Sequence, residues 1–223
     1  MTPKTPVFAD RRDAGRRLAR ALEFLRGQDP LVLALPRGGV PVGFEVARAL
    51  GAELDVLLVR KIGAPGQEEY GLGAVVDGSN PQVILNDDVM RYVAPSAAYV
   101  EEEIRRQLKE VERRRNAYLG NRPPSSPADR SVVLVDDGIA TGGTIRAALR
   151  ALRRLSPRRL TVAVPVAPED AIADLRREAD AVVCLETPPD FRAVGLHYED
   201  FRQTTDEEVV DLLTAARPVR KTS

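Results

Sequence analysis

The stretch that decides the fold runs from Val132 to Thr144 and reads VVLVDDGIATGGT. An apolar run ends in two adjacent acids, Asp136 and Asp137, and a loop of small and hydroxyl residues follows at once. A helical repeat of apolar residues begins near Thr144. This order predicts a buried parallel strand, a tight loop and the N-terminus of a helix.

The loop has the chemistry of a phosphate site. Main-chain N–H groups at a helix N-terminus, together with the positive end of the helix, attract an anion. Gly142 and Gly143 allow the backbone to approach that anion closely, and the hydroxyls of Thr141 and Thr144 can donate to it. Carboxylates just before such a loop can accept hydrogen bonds from sugar hydroxyls. The residues therefore predict a sugar phosphate as the ligand.

Strands and helices alternate on both sides of this stretch. Periodicity predicts strands at 31–35, 54–59, 72–76, 82–85, 159–164 and 181–186, and helices at 10–25, 41–50, 95–119, 168–178 and 206–216. This alternation predicts an α/β fold with a doubly wound parallel sheet, whose ligands bind beyond the carboxyl ends of the strands. Segment 63–73 contains four glycines, a proline and two acids, which predicts a mobile loop.

The run VDDGIATGGT resembles the phosphoribosyl pyrophosphate (PRPP) motif of type I phosphoribosyltransferases. The resemblance implies that Asp136 and Asp137 hold the ribose hydroxyls. It also implies a loop that binds the 5′-phosphate, formed by Ala140, Thr141, Gly142, Gly143 and Thr144. The family fold would add a flexible loop and a small hood to the doubly wound sheet. The alternative is a strand that ends in acids before an ordinary Gly-rich turn.

Two further segments extend the resemblance to the pyrophosphate side. The turn LPRGGVP resembles the pyrophosphate loop of the family, formed here by Arg37, Gly38 and Gly39, in which a peptide bond can be cis. Arg60 and Lys61 end the next predicted strand, where the family places basic residues against the pyrophosphate. Lys61 is the better candidate because the chain has only four lysines. An ordinary turn and solvated charges at a strand end are the alternatives.

The segment from Pro189 to Tyr198 is loosely similar to the hood of purine-salvage members. That likeness implies that Phe191 or Tyr198 stacks on a base. The family expects an acid just before the tyrosine, and this chain has His197 there, which places purine specificity in doubt. A packed phenylalanine and a surface histidine are the alternative.

The resemblance implies a transferase that moves the 5-phosphoribosyl group of PRPP to a nitrogen nucleophile, expected to be a nucleobase, and releases pyrophosphate. Asp136, Asp137, Lys61 and Arg37 are the expected catalytic residues. A Mg²⁺ ion would be carried mainly by PRPP and water, with no direct protein ligand. The family also implies a homodimer. A PRPP-binding regulator without turnover remains the alternative function.

The amino-acid composition limits the partners, the cellular location and the metal sites that can be expected. The 223 residues carry 33 basic and 33 acidic side chains, which argues against nucleic acid as a partner. We expect one domain over 1–223, with its core at about 8–186 and a hood and tail at about 187–223. No apolar run suggests a membrane span or a signal peptide, so we expect a cytoplasmic protein. A single histidine and a single cysteine leave little material for a zinc site.

Overall fold

The computed structural model describes residues 7–216, and its centre is a sheet of five parallel strands. These strands are β1 (Leu31–Ala34), β2 (Glu53–Val56), β6 (Ser131–Val135), β7 (Arg159–Val166) and β8 (Ala181–Glu186). Their order across the sheet is β2-β1-β6-β7-β8. The chain runs outward from β1 in one direction and from β6 in the other, so the crevice between the ends of these two strands is a topological switch point. The predicted doubly wound parallel sheet is confirmed.

Helices cover both faces of this sheet. They are α1 (Arg11–Ala21), α2 (Gly39–Leu50), α5 (Gly143–Arg153), α6 (Glu169–Leu175) and α7 (Asp206–Ala215), whereas α3 (Asp87–Val93) and α4 (Ala97–Leu119) pack mainly against strands outside this sheet. Alternate residues of β6 face opposite layers: Val133 and Val135 pack in the layer that contains α1, α2 and α7, whereas Val132 and Leu134 pack in the layer that contains α5 and α6. Burial on both faces explains the unbroken apolar run of β6. None of the helices within residues 7–216 is long and apolar enough to cross a membrane.

The expectation of a mobile loop over residues 63–73 is wrong. This segment belongs to a second, antiparallel sheet formed by β3 (Val59–Ala64), β4 (Gln67–Val76) and β5 (Gln82–Leu85). Its glycines disfavour a strand locally, but Ile62 and Leu72 are fully buried in the core. Tertiary packing therefore overrides the local preference. The strand predicted at 54–59 is likewise split, because β2 ends at Val56 and β3 begins at Val59.

Helix α4 is a surface helix with one buried ion cluster near its end. Along its exposed face, arginines pair with glutamates three or four positions earlier. Arg115, in contrast, is buried and contacts Asp55 on β2 and Asp77 after β4. Burial raises the pKa of Asp77 although Arg115 opposes that shift. The cluster thus fixes α4 against both sheets, since each buried charge depends on its partner.

We expect Arg115→Met to destabilise the fold by about 3–5 kcal/mol, because it removes the Arg115 contact from the buried carboxylate of Asp77, whereas Asp55 keeps its contact with Arg122. Urea unfolding measures the loss. Arg113→Met is the matched control on the same helix, since Arg113 pairs with Glu110 in solvent, and we expect it to change stability by less than about 0.5 kcal/mol. Equal effects of the two substitutions would contradict this role of the buried cluster.

Candidate active site

The loop after β6 is anchored at both ends, and its middle residues are exposed to solvent. Ile139 is buried, and its amide donates to the carbonyl of Val166 at 2.9 Å. Gly142 has a φ of 73°, a left-handed conformation that suits glycine, and it caps the N-terminus of α5. Ala140, Thr141 and the following residues lie at the surface between these two points. The helix therefore begins where the sequence predicted.

The main-chain amides of residues 140–144 donate no hydrogen bond to the backbone of residues 7–216 or to the side chains that the structure describes there, which exclude those of residues 68–70. An amide at the first turn of a helix has no acceptor within that helix, and here no described side chain and no other loop supplies one. These donors at the positive end of α5 form a seat for an anion. This is the arrangement that a phosphate-binding loop requires.

The turn after β1 lies directly against the two acids that follow β6. A Cβ atom on Gly38 would lie 1.9 Å from Asp137 Oδ2, and one on Gly39 would lie 2.8 Å from the carbonyl oxygen of Val135. Only glycine fits this approach. The peptide bond between Pro36 and Arg37 is cis, the geometry that the resemblance allows. The two segments predicted separately from the sequence therefore meet at the switch point of the sheet.

Asp136 and Asp137 interact as a pair. Burial raises the pKa of Asp136 well above its ordinary value, and the adjacent charge of Asp137 raises it further. The amide of Asp137 donates to Oδ1 of Asp136 at 2.9 Å and opposes this rise in pKa without cancelling it. In the protein alone, Asp136 therefore keeps its proton to a higher pH than an exposed aspartate.

Lys61 and Arg60 lie beside the two loops. Lys61 lines a cavity of about 660 Å³ together with Pro36, Asp136 and Thr144. It also lines a second cavity, of about 640 Å³, that includes Thr141 and Gly143. Lys61 therefore lies near both predicted phosphate sites.

Arg60 is oriented by helix α4, a contact that the sequence did not suggest. Its Nε donates to Oε1 of Gln107 at 3.1 Å, and Nε2 of Gln107 donates to the buried carboxylate of Glu103 at 2.7 Å. Arg60 lines the 660 Å³ cavity as well. A chain of buried polar groups thus holds this guanidinium at the wall of the cavity.

The side chain of Arg37 has a different position from the one expected. Its Nη1 lies 3.7 Å from Oδ1 of Asp206 at the start of α7. It does not line the cavity that contains Pro36 and Lys61. In this conformation the charge of Arg37 faces α7.

A family model for the phosphoribosyl transferase domain matches residues 10–200. The chain belongs to the phosphoribosyltransferase family. Two curated proteins of Mycobacterium tuberculosis, the provisionally named phosphoribosyl transferases MT0597 and Rv0571c, are each 47% identical over 210 residues. The match covers 94% of this chain and 47% of each relative, so the chain spans about half the length of the curated relatives it matches.

A solved structure supports the same fold. The crystal structure of TT1426 from Thermus thermophilus shares 47% sequence identity with this chain and superposes with a TM-score of 0.83. The superposition covers 95% of this chain and 99% of that chain. This chain therefore shares its fold with a protein of known structure.

The expectation that Tyr198 could stack on a base is wrong. Tyr198 is 4% exposed, and its ring packs against Phe8 and Phe201 at centroid distances of 5.3 and 5.0 Å. Its hydroxyl donates to the carbonyl oxygen of Asp137 at 2.5 Å. Tyr198 therefore offers no free ring face to a base, because Phe8 and Phe201 enclose its ring.

Phe191 remains a candidate for stacking. Its ring is half-buried and lies nearly parallel to that of His197, with the centroids 5.6 Å apart. His197 is buried, so the surface histidine considered as an alternative is not found. One face of Phe191 is thus occupied within the hood.

We expect Gly38→Ala to weaken PRPP binding by roughly tenfold or more, which corresponds to about 1.4 kcal/mol. The added methyl group must displace the Asp137 carboxylate, the nearest atoms to that position. Titration calorimetry with PRPP measures the loss, and the affinity for inorganic phosphate should stay within twofold because residues 140–144 are untouched. Wild-type affinity for PRPP in the variant would contradict the close approach of the two loops.

Proposed function

We propose that this chain transfers the 5-phosphoribosyl group of PRPP to a nitrogen nucleophile and releases pyrophosphate. The observation that carries the proposal is the set of unpaired amides at residues 140–144 beside the acid pair Asp136–Asp137. The amides would bind a dianion, and the acids would bind hydroxyl groups. These two requirements match the phosphate and the sugar of a ribose 5-phosphate. Family membership gives the reaction class.

Each part of the site has a role in this proposal. Residues 140–144 bind the 5′-phosphate, and the two acids accept hydrogen bonds from the ribose hydroxyls. Their negative charge also favours the cationic sugar that forms as the bond to pyrophosphate breaks. Arg60 and Lys61 face the cavity next to the turn at residues 37–39, where positive charge stabilises the departing pyrophosphate. No general base is evident among these residues.

The residues present fit a Mg²⁺ ion that is held mainly by substrate and water. Within residues 7–216, no three His, Cys, Asp or Glu side chains converge as a metal site. The acid pair next to the phosphate loop supplies only two carboxyl groups, too few for a dedicated cage. When bound, the ion would neutralise charge on the pyrophosphate oxygens. A nucleobase acceptor, a homodimer and a cytoplasmic location are supported by the resemblance and composition alone.

Pyrophosphate release in the presence of PRPP, Mg²⁺ and a panel of nucleobases and other nitrogen nucleophiles tests this function. Release that depends on one acceptor is the expected result. Tight PRPP binding without turnover across the panel would instead support a PRPP-binding regulator. Absence of PRPP binding would contradict both functions.

We expect Asp137→Asn to weaken PRPP binding by roughly 10- to 100-fold, the range for a lost hydrogen bond to a charged group. Titration calorimetry at constant Mg²⁺ concentration gives the affinity. Glu102→Gln removes one negative charge from the exposed face of α4 and should bind PRPP as the wild type does. An unchanged affinity in Asp137→Asn would contradict the assignment of this acid to the ribose.

PRPP affinity should rise as the pH rises through the raised pKa of Asp136. Two donating ribose hydroxyls need both carboxyl groups as acceptors, so binding displaces the proton that Asp136 retains in the protein alone. Calorimetry in two buffers of different ionisation enthalpy counts the released protons. Asp136→Asn should release fewer, and the difference separates Asp136 from the titration of PRPP itself. Equal proton release by both proteins would contradict the model.

A further inference from the structure

Arg11 is an arginine that the sequence did not single out, and it lies at the ribose acids. It begins α1, yet its Nε donates to Oδ2 of Asp137 at 2.8 Å, across 126 positions of sequence. The side chains of Arg11 and Asp137 are only 11% and 15% exposed. Arginine is rarely buried without a defined partner, because removing its charge from water is costly.

Three contacts fix the orientation of this guanidinium. Besides the bond to Asp137, Nη1 donates to the carbonyl oxygen of Arg202 at 2.7 Å. The Cζ atom of the group lies over the ring of Phe201, 3.9 Å from its centroid. The Asp137 carboxylate, the Arg202 carbonyl and the Phe201 ring each constrain the guanidinium in a different direction. Exposed ion pairs such as Arg91–Asp88 lack comparable constraints.

The backbone around Arg11 is fixed by the hood. The amides of Val7 and Phe8 donate to the carbonyl oxygen of His197, and the amide of Glu199 donates to the carbonyl oxygen of Phe8. Asp10 then caps α1 by accepting from the amide of Asp13. The segment before the first strand and the hood thus form one unit, and Arg11 extends from this unit to Asp137.

We propose that Arg11 is a positioning residue that presents Asp137 to the ribose of the substrate. Arg11 holds the carboxyl group of Asp137, and Tyr198 holds its carbonyl oxygen. The positive charge of Arg11 also offsets the repulsion between two adjacent acids. Because the Asp137 side chain is oriented before the substrate arrives, substrate binding does not have to restrict the conformational freedom of that side chain. This inference rests on the proposed function, since it assumes that Asp137 binds ribose.

The test compares ribose 5-phosphate with inorganic phosphate as calorimetric probes of the full chain. Arg11→Gln should weaken ribose 5-phosphate binding roughly 10- to 30-fold and leave the affinity for inorganic phosphate within twofold. Arg11→Lys should recover part of the loss, because lysine keeps the charge but not the fork of donors. A purely structural role for Arg11 would weaken both probes together and would not be rescued by charge.

Arg12→Gln is the matched control on the same turn of α1. Arg12 pairs with Glu45, which also pairs with Arg48, and neither contact involves the acid pair. We expect this variant to bind both probes as the wild type does. If Arg11→Gln fails to fold, Arg11→Lys carries the test, with an expected loss of roughly threefold or more for ribose 5-phosphate alone.

The outcomes separate this inference from the proposed function. A wild type that binds PRPP and ribose 5-phosphate, with Arg11 variants that bind them equally well, would overturn the role of Arg11 only. Parallel loss of both probes would overturn it too. A wild type that binds neither sugar phosphate would overturn the proposed function, and the positioning role with it.

Discussion

The close approach of two loops at the switch point is the contact on which the site depends. Gly38 and Gly39 lie against the acids after β6 with no space for a side chain. This approach places the turn at residues 37–39 next to the acid pair, and the acids next to the open amides at residues 140–144. A ligand with phosphate groups at both ends of a sugar can therefore contact both loops at once. The parallel sheet provides the alignment, because β1 and β6 are adjacent and end at the same edge.

Negative and positive groups occupy different sides of the site. The acid pair is partly buried, and burial together with the adjacent charge raises the pKa of Asp136. Arg60 and Lys61 contribute positive charge on the side of the hairpin, and α5 contributes the positive end of its dipole. Arg11 contributes a further positive charge from the opposite direction, through the hood unit. An anionic ligand with a sugar between its charges fits this alternation, whereas a fully cationic or apolar ligand would leave charges uncompensated.

The sequence predicted those parts of the site whose residues lie close together along the chain. The strand, the two acids, the glycines and the start of α5 follow one another within thirteen residues, so their chemistry and their geometry coincide. Arg11 could not be found in this way. It meets Asp137 only after folding, and in a chain with 33 basic residues one more arginine at a helix start carries no signal. The hairpin of β3 and β4 was missed for a related reason, since burial of Ile62 and Leu72 decides it, not the local residue preference.

Tyr198 shows why the identity of a residue is a weaker guide than its surroundings. Its position after the last core strand suggested that it stacks on a base, but its ring is enclosed by Phe8 and Phe201 and its hydroxyl donates to Asp137. The unit formed by the hood and the start of α1 therefore contacts Asp137 through two residues, Tyr198 at its backbone and Arg11 at its side chain. Under the proposed function, a hood that holds Asp137 in this manner also holds its own surface at a fixed distance from the ribose. Transfer to an acceptor at that surface would require such a fixed distance.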